Sequence, residues 1–368
     1  MKLSCTQEKL NKGINIVSRI VSPRGTLPVL NNILFQTDKG RLKISATDLE
    51  IGINTWIGAK VENDGAITIP SRLITDFVTT NNDDAISFDL KDTTLLLKSD
   101  KYEAHIKGIE ASEFPLIPEI KKESVVEIKS GELKEIINRV VFAAAADETR
   151  PVLTGILLKI KDSIIKLVAT DSYRLAEETY KLDKKVSGEF NIIIPARTMN
   201  ELGRILSDDQ EKVEIKIGEN QIYFGFNDTQ LVSRLIEGSF PDYENIIPKK
   251  SETKTVLKVK EFANAIKMAS FFARESANNI KLKISKGNKI EVLAVSPQVG
   301  DNISTIGAKT EGKDIEIAFN AKFILDALNI LKEDEVVLET IDKSSPAILK
   351  PIKSKNYLYL IMPLRIDE

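Results

Sequence analysis

The sequence is poor in the residues that build metal centres, disulfide frameworks and most acid–base sites. Its 368 residues include one cysteine, Cys5, and one histidine, His105. A single cysteine excludes an internal disulfide and a cysteine-based zinc site, and it fits a reducing compartment. A single histidine removes most histidine-based schemes of proton transfer and metal binding. We therefore expect neither a metal nor a cofactor.

Long apolar runs and an excess of basic charge are also missing. Tyr357–Leu364 is among the longest uncharged apolar stretches, and it is too short to cross a bilayer. Charged residues interrupt the N-terminus before the apolar segment of an export signal can form. We therefore expect a soluble, cytoplasmic protein. Because 52 Lys and Arg stand against 54 Asp and Glu, any case for nucleic-acid binding depends on where the basic residues lie.

One pattern of residues occurs three times along the chain. Its clearest marker is a predicted apolar strand that ends at Pro or Asn, with a basic residue two positions after that Pro or Asn. That basic residue recurs every 125 positions, as Arg72, Arg197 and Lys322. A second marker, Lys43–Asp48, recurs 123 positions later as Lys166–Asp171. Since one third of 368 is about 123, three copies fill the chain.

Each copy is long enough to be a domain. Its length exceeds the roughly 20–50 residues of solenoid and propeller repeats, so each copy must have a core of its own. Charged stretches at residues 121–123 and 249–252 follow proline-containing strings, which we interpret as ordered connectors. We therefore place three domains at residues 1–120, 121–249 and 250–368.

The copies share one order of secondary structure. A short strand leads into a helix, several strands follow, and a second helix begins just after the Pro or Asn marker. The first helices carry the apolar stripes Leu10, Ile14, Val17 and Val21; Leu133, Ile136, Ile137, Val140 and Val141; and Phe262, Ala265, Ile266 and Ala269. Two helices and about eight strands per copy indicate an α+β fold, with helices packed on antiparallel sheets.

The polar faces of these helices are rich in basic residues. They include Lys9, Lys12, Arg19, Lys134, Arg139, Lys260, Lys267 and Arg274 on the first helices, and Arg72, Arg197, Arg204 and Lys322 on the second. Taken singly, each helix fits a solvated face. Taken together, in a chain of net charge −2, they indicate a segregated positive surface that contacts a phosphate backbone without reading bases.

Two motifs of possible catalytic interest fit structural roles better. Gly307–Lys313 nearly matches a phosphate-binding loop, but Asp314 replaces the magnesium-binding Ser or Thr, and the residues from Ile315 onward predict a strand. Asp48 and Asp171 each follow a Thr at a predicted strand end, where Asp commonly accepts hydrogen bonds within a turn. A metal-dependent enzyme built on these two carboxylates stays open as an alternative.

Several longer motifs are similar to those of one family. They are Leu27-Pro-Val-Leu30, Ala169-Thr-Asp-Ser-Tyr-Arg-Leu175, Ser239-Phe-Pro-Asp-Tyr243 and Met362-Pro-Leu-Arg365. Together with the threefold repeat and the basic helices, they resemble over the whole chain the bacterial β sliding clamp, the processivity factor of DNA polymerase III. The resemblance implies three clamp domains in a crescent, and two crescents closed head to tail into a ring whose helices face duplex DNA. It also implies a protein without catalytic activity.

The resemblance assigns residues to the DNA-facing lining and to the seam of the homodimer. The lining residues would be Arg24, Arg72, Lys134, Arg139, Arg150, Arg197 and Arg204. The seam would join domain one to domain three of the other copy, with Ile106, Phe271 and Phe272 as candidates. Two adjacent phenylalanines cannot both face the core side of one helix, so we expect one to be free for a partner.

The family also binds short linear peptides of the polymerase III catalytic subunit, the clamp loader and other replication and repair proteins. The resemblance places that groove between domains two and three, at Leu153, Thr170, Arg174, Leu175, Pro241, Ile246, Ser345, Met362, Pro363, Leu364 and Arg365. Apolar walls, an adaptable methionine and two arginines at the rim suit a peptide. Tyr173, Glu244 and Asn245 depart from the family pattern and leave the preferred peptides open. The alternative function is a protein-interaction scaffold that does not encircle DNA.

Overall fold

The computed structural model describes residues 1–21, 27–120, 126–207 and 211–365. Within these ranges the chain forms six α-helices and 25 β-strands, and each strand pairing there is antiparallel. None of the helices in these ranges is long and apolar enough to cross a membrane. The predicted combination of helices and antiparallel sheets is confirmed.

The three copies have closely similar element orders. Copy one contains β1 (Lys2–Thr6), α1 (Gln7–Val17), β2 (Asn32–Asp38), β3 (Arg41–Thr47), β4 (Ile51–Gly58), β5 (Lys60–Asn63), β6 (Ala66–Pro70), α2 (Ser71–Thr80), β7 (Ala85–Lys91), β8 (Thr94–Lys98) and β9 (Glu103–Lys107). Copy two contains β10 (Val126–Lys129), α3 (Ser130–Val140), β11 (Gly155–Lys161), β12 (Ile164–Thr170), β13 (Arg174–Lys181), β14 (Glu189–Pro195), α4 (Ala196–Ile205), β15 (Lys212–Ile217), β16 (Gln221–Phe226) and β17 (Thr229–Arg234). Copy three contains β18 (Thr253–Lys258), α5 (Val259–Ala273), β19 (Asn279–Ile284), β20 (Gly287–Ser296), β21 (Gly300–Gly312), β22 (Ile315–Asn320), α6 (Ala321–Ile330), β23 (Glu335–Thr340), β24 (Ala347–Pro351) and β25 (Tyr357–Ile361).

The strands form three sheets that cross the boundaries between copies. Their orders are β5-β1-β7-β8-β9, then β10-β15-β16-β17-β4-β3-β2-β6, and β14-β11-β12-β13-β25-β24-β23-β18-β21-β20-β19-β22. The last strand of copy two, β17, pairs with β4 of copy one, and the last strand of copy three, β25, pairs with β13 of copy two. Hydrogen bonding therefore links each copy to the next.

By its contacts the chain divides into two compact units. One contains residues 1–134 and 201–235, and the other contains residues 135–200 and 236 onward. The first unit contains the five- and eight-stranded sheets, and the second contains the twelve-stranded sheet. Copy two is divided because half of its strands join a sheet with copy one and half join a sheet with copy three. The connector at residues 121–123 lies outside the described residues.

The helices form where the sequence predicts apolar stripes, and those stripes are buried. In α1 the side chains of Leu10, Ile14 and Val17 are fully buried, and the Thr6 hydroxyl caps the helix by accepting a hydrogen bond from the Lys9 amide. Each buried side chain of this kind contributes about 1.5–3 kcal/mol of transfer free energy. The predicted stripe is one residue too long in copy one, because Val21 follows a short 3-10 turn after the helix.

The turns after β3, β12 and β20 share a side-chain hydrogen-bond pattern. One Asp48 carboxylate oxygen accepts from the amides two and three residues on, and Asp171 does the same. In copy three the Ser296 hydroxyl accepts from the amides at those two positions. The residues after the aspartates, Leu49 and Ser172, have φ values of 77° and 78°. The predicted turn role is confirmed, as is the strand beginning at Ile315 in place of a phosphate-binding helix.

We expect Asp48→Ala to lower the free energy of unfolding by about 1–2 kcal/mol, because two backbone amides lose their acceptor. Asp48→Asn keeps an acceptor oxygen and should cost less than half as much. Urea unfolding measures both, with the exposed neighbour Glu50→Ala as the control. Equal losses for the Asn and Ala variants would contradict the turn role.

Candidate functional site

An apolar cluster lies on one face of the twelve-stranded sheet, where β13 pairs with β25. Leu175 stands opposite Leu360 across this pairing, and Leu157 stands opposite Val168 on the neighbouring strands. The buried members of the cluster are Leu157, Val168, Leu175, Ile193, Tyr243 and Leu360. Partly buried apolar side chains surround them: Val152, Ile236, Phe240, Ile247, Leu358 and Met362. We call these twelve residues the β13–β25 cluster.

Two of the predicted groove residues, Leu175 and Met362, belong to this cluster, and the predicted residues differ in exposure. Leu153, Thr170 and Leu175 are buried. Met362, Pro363, Leu364 and Ser345 are half-buried, whereas Pro241, Ile246 and Arg365 are exposed. The chain after β25 is held in place by the backbone, because the Met362 amide donates to the Tyr173 carbonyl and the Leu364 amide donates to the Ala318 carbonyl. The apolar floor and the exposed Arg365 thus lie on ordered backbone.

Arg174 is not at an exposed rim, contrary to the sequence-based expectation. Its side chain is only 8% exposed, and its Nε lies 2.9 Å from an Asp171 carboxylate oxygen. One terminal nitrogen lies 2.6 Å from Asp326, and the other donates to the carbonyl oxygen of Phe142. The guanidinium also stacks over the Phe142 and Phe323 rings. The Arg174 charge is therefore already paired within the fold.

The sequence reasoning missed Tyr243, which is 3% exposed at the centre of the cluster. Phe240 packs edge-on against it, with ring centroids 6.3 Å apart, and Lys159 lies over its ring. Burial is the main cause that raises the pKa of the Tyr243 hydroxyl above its usual range. Both residues belong to Ser239-Phe-Pro-Asp-Tyr243, a string that we interpreted only as a connector and a family motif. Its two aromatic residues were the available signal of burial.

The three residues that depart from the family pattern lie at the surface. Tyr173 is 62% exposed. Lys159 donates to the Glu244 carboxylate at 3.1 Å, and this hydrogen bond lowers the pKa of Glu244. Asn245 donates to Asp242 at 2.6 Å. The Glu244 charge is therefore partly balanced by Lys159 and is less repulsive toward an acidic ligand than the sequence alone indicates.

Several basic residues expected on the DNA side are available to solvent. The Arg72 side chain is 94% exposed, with only a distant contact to Asp76 at 3.9 Å. Arg197 and Arg150 are exposed, and Lys134 is half-buried. Arg150 donates to the Ser172 hydroxyl at 3.1 Å. Arg24 lies outside the described residues.

Arg139 and Arg204 do not meet the same expectation. The Arg139 side chain is 10% exposed, and one terminal nitrogen lies within 3.0 Å of both Glu135 and Glu333. Arg204 pairs with Glu201 at 2.8 Å and donates to the backbone carbonyls of residues 15 and 16. Both guanidinium groups are occupied within the fold, because burying a charge requires a paired or hydrogen-bonded partner. We therefore remove Arg139 from the DNA-facing set and assign Arg204 a structural role.

The seam candidates differ in their exposure. Phe271 is 46% exposed and Phe272 is half-buried, so Phe271 is the more exposed of the two. Ile106 lies on β9 at the edge of the five-stranded sheet, but its side chain is 8% exposed and belongs to the core. His105, on the same edge strand, is exposed. A seam at this strand would thus use its backbone and outward-facing side chains.

The described residues contain no group of three or more His, Cys, Asp or Glu side chains that could hold a metal ion. The single cysteine, Cys5, is buried, and burial raises the pKa of its thiol to about 12. Asp48 and Asp171 are committed to their turns. The metal-dependent alternative therefore has no supporting geometry in these parts of the chain.

We expect the carboxyl group of Glu178 to make stability depend on pH. Burial raises its pKa to about 7, and nearby Arg139 at 3.6 Å offsets this only in part. Because the native state then holds a proton that the unfolded chain releases near pH 4.5, stability from this group falls as pH rises from about 4.5 to 7. Urea unfolding between pH 5 and 8 should show a smaller decline for Glu178→Gln than for the unaltered chain. If stability declined with pH equally in Glu178→Gln and in the unaltered chain, the prediction would be contradicted. Glu291→Gln, a change at an exposed residue, is the control.

The chain matches the DNA polymerase III beta subunit family along nearly its whole length. The N-terminal domain matches residues 1–118, the central domain residues 127–242 and the C-terminal domain residues 244–365. A beta sliding clamp of Bacillus subtilis is 32% identical, covering 99% of this chain and 100% of the relative. One from Synechococcus elongatus is 31% identical and covers 100% of both chains.

Solved structures agree with the sequence relatives. The DNA polymerase sliding clamp of Bacillus subtilis has a TM-score of 0.95 at 31% identity and covers 100% of both chains. The sliding clamp of Pseudomonas aeruginosa bound to griselimycin has a TM-score of 0.94 at 26% identity, also over 100% of both chains. With its three clamp domains, the chain belongs to the DNA polymerase III beta subunit family, the family of the β sliding clamps.

Proposed function

We propose that the chain is a non-catalytic DNA sliding clamp of the cytoplasm. Two copies close head to tail into a ring around duplex DNA, without sequence specificity, and tether the catalytic subunit of DNA polymerase III. The clamp loader and other replication and repair proteins use the same peptide groove. No cofactor and no membrane takes part. The domains of this ring are residues 1–120, 121–249 and 250–368, and the family matches support limits close to these.

The single observation that carries the ring is an unfinished series of strand pairings. At the first boundary β4 pairs with β17, and at the second β13 pairs with β25. In copy three, β21 occupies the position of β4 and β13. In copy one, β9 occupies the position of β17 and β25. β9 is the outermost strand of its sheet, and residues 300–307 of β21 have a ladder partner on one side only within the described chain. An exposed edge strand is a template for pairing with another chain, so β9 of one copy fits β21 of a second.

Apolar residues support the same pairing. At the second boundary Phe142 packs on Tyr359, with centroids 5.5 Å apart, and the Tyr359 hydroxyl donates to the carbonyl oxygen of Phe323. The positions equivalent to Phe142 and Phe323 are Phe271 in copy three and Leu73 in copy one. These two side chains are 46% and 56% exposed. A second copy would cover them together, as the equivalent Phe142 and Phe323 are half-buried beside Tyr359 and Arg174 within the chain.

Basic residues at equivalent helix positions support DNA passage. Arg72, Arg197 and Lys322 each occupy the second residue of their helices, and Arg72 and Arg197 are exposed. Phosphate contacts of this kind position a protein without reading sequence. A closed ring stays on DNA by topology, so a modest number of exposed charges suffices and tight base contacts are not needed.

The β13–β25 cluster supports peptide docking. Its floor is apolar and buried, Met362 at its edge is half-buried and adaptable, and Arg365 is exposed beside it. A short peptide with apolar anchors and an acidic neighbour fits this combination. Ile246, exposed at 45%, offers further apolar surface.

The test of the clamp is its mass and its topology on DNA. Light scattering should give about twice 41.0 kDa. After assisted loading, the protein should stay on nicked circular DNA and leave linearised DNA. Arg72→Glu with Arg197→Glu should reduce loading or retention several-fold, because like charges repel the phosphates. Lys91→Glu, an exposed change on a strand, is the control. A monomer that binds both DNA forms equally would favour the scaffold or simple electrostatic binding.

We expect Met362→Ala with Arg365→Ala to weaken binding of a clamp-binding peptide from the polymerase catalytic subunit by at least about tenfold, since an apolar contact and a charge are lost. Fluorescence anisotropy measures the affinity, and light scattering should report an unchanged dimer. Ile352→Ala removes an exposed apolar side chain outside the cluster and serves as the control. Normal affinity in the double variant would remove the groove assignment.

A further inference from the structure

The two strand pairings between copies have the same register. In the first, Gly52 stands opposite Val232, and in the second, Leu175 stands opposite Leu360. Just beyond each pair the backbone repeats a hydrogen bond: the Arg234 amide donates to the Glu50 carbonyl and the Met362 amide donates to the Tyr173 carbonyl. A third pairing built on the same backbone would follow the same register.

Backbone contacts identify the equivalent position on β9. The Gly108 amide donates to the Thr93 carbonyl, as the Leu235 amide donates to the Asn220 carbonyl in copy two. Thr94 pairs with Lys107, as Gln221 pairs with Arg234. Lys107, Arg234 and Met362 therefore occupy equivalent positions at or just after the ends of the last strands. The residues two positions earlier, His105, Val232 and Leu360, are then equivalent to one another.

The position on β21 follows from its pairing with β18. Ser4 stands opposite Lys60 in copy one, and Val256 stands opposite Lys309 in copy three. Ser4 lies three residues before the start of α1, and Val256 lies three residues before the start of α5, so the two positions are equivalent. Lys309 is therefore equivalent to Lys60, which makes Asp301 the equivalent of Gly52. The neighbouring ladder agrees with this equivalence. Gly52, the second residue of β4, pairs with Thr47, and Asp301, the second residue of β21, pairs with Val295.

We propose that His105 of one copy stands directly opposite Asp301 of the second copy, and that this cross-strand pair makes the seam tighter when His105 is protonated. The proposal rests on the homodimeric ring proposed above and adds its register and its response to pH. Neighbouring pairs in this register are Ile106 with Gly300, and Ala104 with Asn302. Two identical seams would give two such pairs in each ring.

Both side chains are available for this contact. His105 and Asp301 are exposed, and within the described chain neither makes an ion pair. On the His105 face of its sheet, Leu96 is directly opposite, and the nearest charged groups are Glu103, Lys98 and Lys107. Glu103 is already paired with Lys98 at 3.4 Å. On the second copy, Val299 and Ile303 flank Asp301 and carry no charge, so Asp301 is the acidic group that faces His105.

The sign of the pH effect follows from proton linkage. Histidine is the side chain whose charge ordinarily changes between pH 5 and 8. A facing carboxylate favours the protonated imidazole in the dimer over the monomer, so dimer formation takes up protons. The extra affinity is therefore present at low pH and is lost as pH rises. An opposite-charge cross-strand pair corresponds to roughly threefold in affinity, or roughly tenfold for a ring with two seams.

Sedimentation at pH 6 and pH 8 tests the proposal with the full chain. The dimer dissociation constant should be roughly tenfold lower at pH 6, and His105→Gln and Asp301→Asn should each remove most of that difference. The double variant should resemble either single variant, since the two residues act through one contact. Glu291→Gln, an exposed change away from the edge strand, is the control. A pH dependence unchanged by both single variants would overturn the proposal.

Disulfide mapping tests the register without relying on pH. His105→Cys combined with Asp301→Cys should form a covalent dimer on mild oxidation, because directly opposed residues bring their β-carbons within about 4.5–5.5 Å. His105→Cys combined with Thr305→Cys moves one cysteine four residues along β21 and should not cross-link. The native Cys5 is buried and should not interfere.

The two proposals fail in distinguishable ways. If the unaltered chain sediments as a monomer at every concentration, the homodimeric ring itself is wrong. If it forms a dimer that cross-links through the Thr305 variant and not through the Asp301 variant, the ring stands and the register proposed here is wrong.

Discussion

The pairing of a terminal strand with the preceding copy is the interaction on which the rest of the structure depends. β17 with β4, and β25 with β13, extend sheets across the boundaries between copies. The second pairing also fixes the chain that leaves β25, because the Met362 and Leu364 amides are hydrogen-bonded to backbone carbonyls. The equivalent strand of copy one, β9, is the outermost strand of its sheet in the part of the chain that the structure describes. Within the described residues, strand pairing thus continues across both internal boundaries and stops at β9, and the ring proposed above would continue it with a second copy.

Buried arginines hold the second boundary from the helix side. Arg174 links the turn after β12 to Asp326 on α6, and Arg139 links α3 to Glu333 after α6. Removing one partner of such a pair leaves an uncompensated charge in a low-dielectric site, so these contacts favour one geometry strongly. Two arginines that we assigned to ligands from the sequence are thus paired with carboxylates of the fold. Of the basic residues expected to face DNA, Arg72, Arg150 and Arg197 remain exposed.

Much of the fold could be predicted from the sequence because the pattern occurs three times. Repetition identified the copies, the helix positions and the turn role of Asp48 and Asp171, since periodicity and turn chemistry are local properties. Burial of Arg139 and Arg174 could not be predicted in this way. Their partners Glu333 and Asp326 lie more than 150 residues away. Neither the polar helix face that carries Arg139 nor the strand start that carries Arg174 indicates that these carboxylates cover them. Tyr243 was missed because proline neighbours suggest a connector.

The two boundaries share a backbone arrangement but not a surface. At the second, Leu175 and Leu360 are buried members of the β13–β25 cluster, and Met362 packs against it half-buried. At the first, the equivalents are Gly52, Val232 and Arg234. Ile117 occupies the space above Gly52, because a β-carbon placed there would lie 2.7 Å from Cγ2 of Ile117. The chain therefore fills the first position with its own side chain, and an exposed arginine takes the place of the methionine. Strand pairing supplies the scaffold at both boundaries, whereas side-chain identity makes their surfaces differ: the second carries the β13–β25 cluster, and the first carries Ile117 over Gly52 and the exposed Arg234.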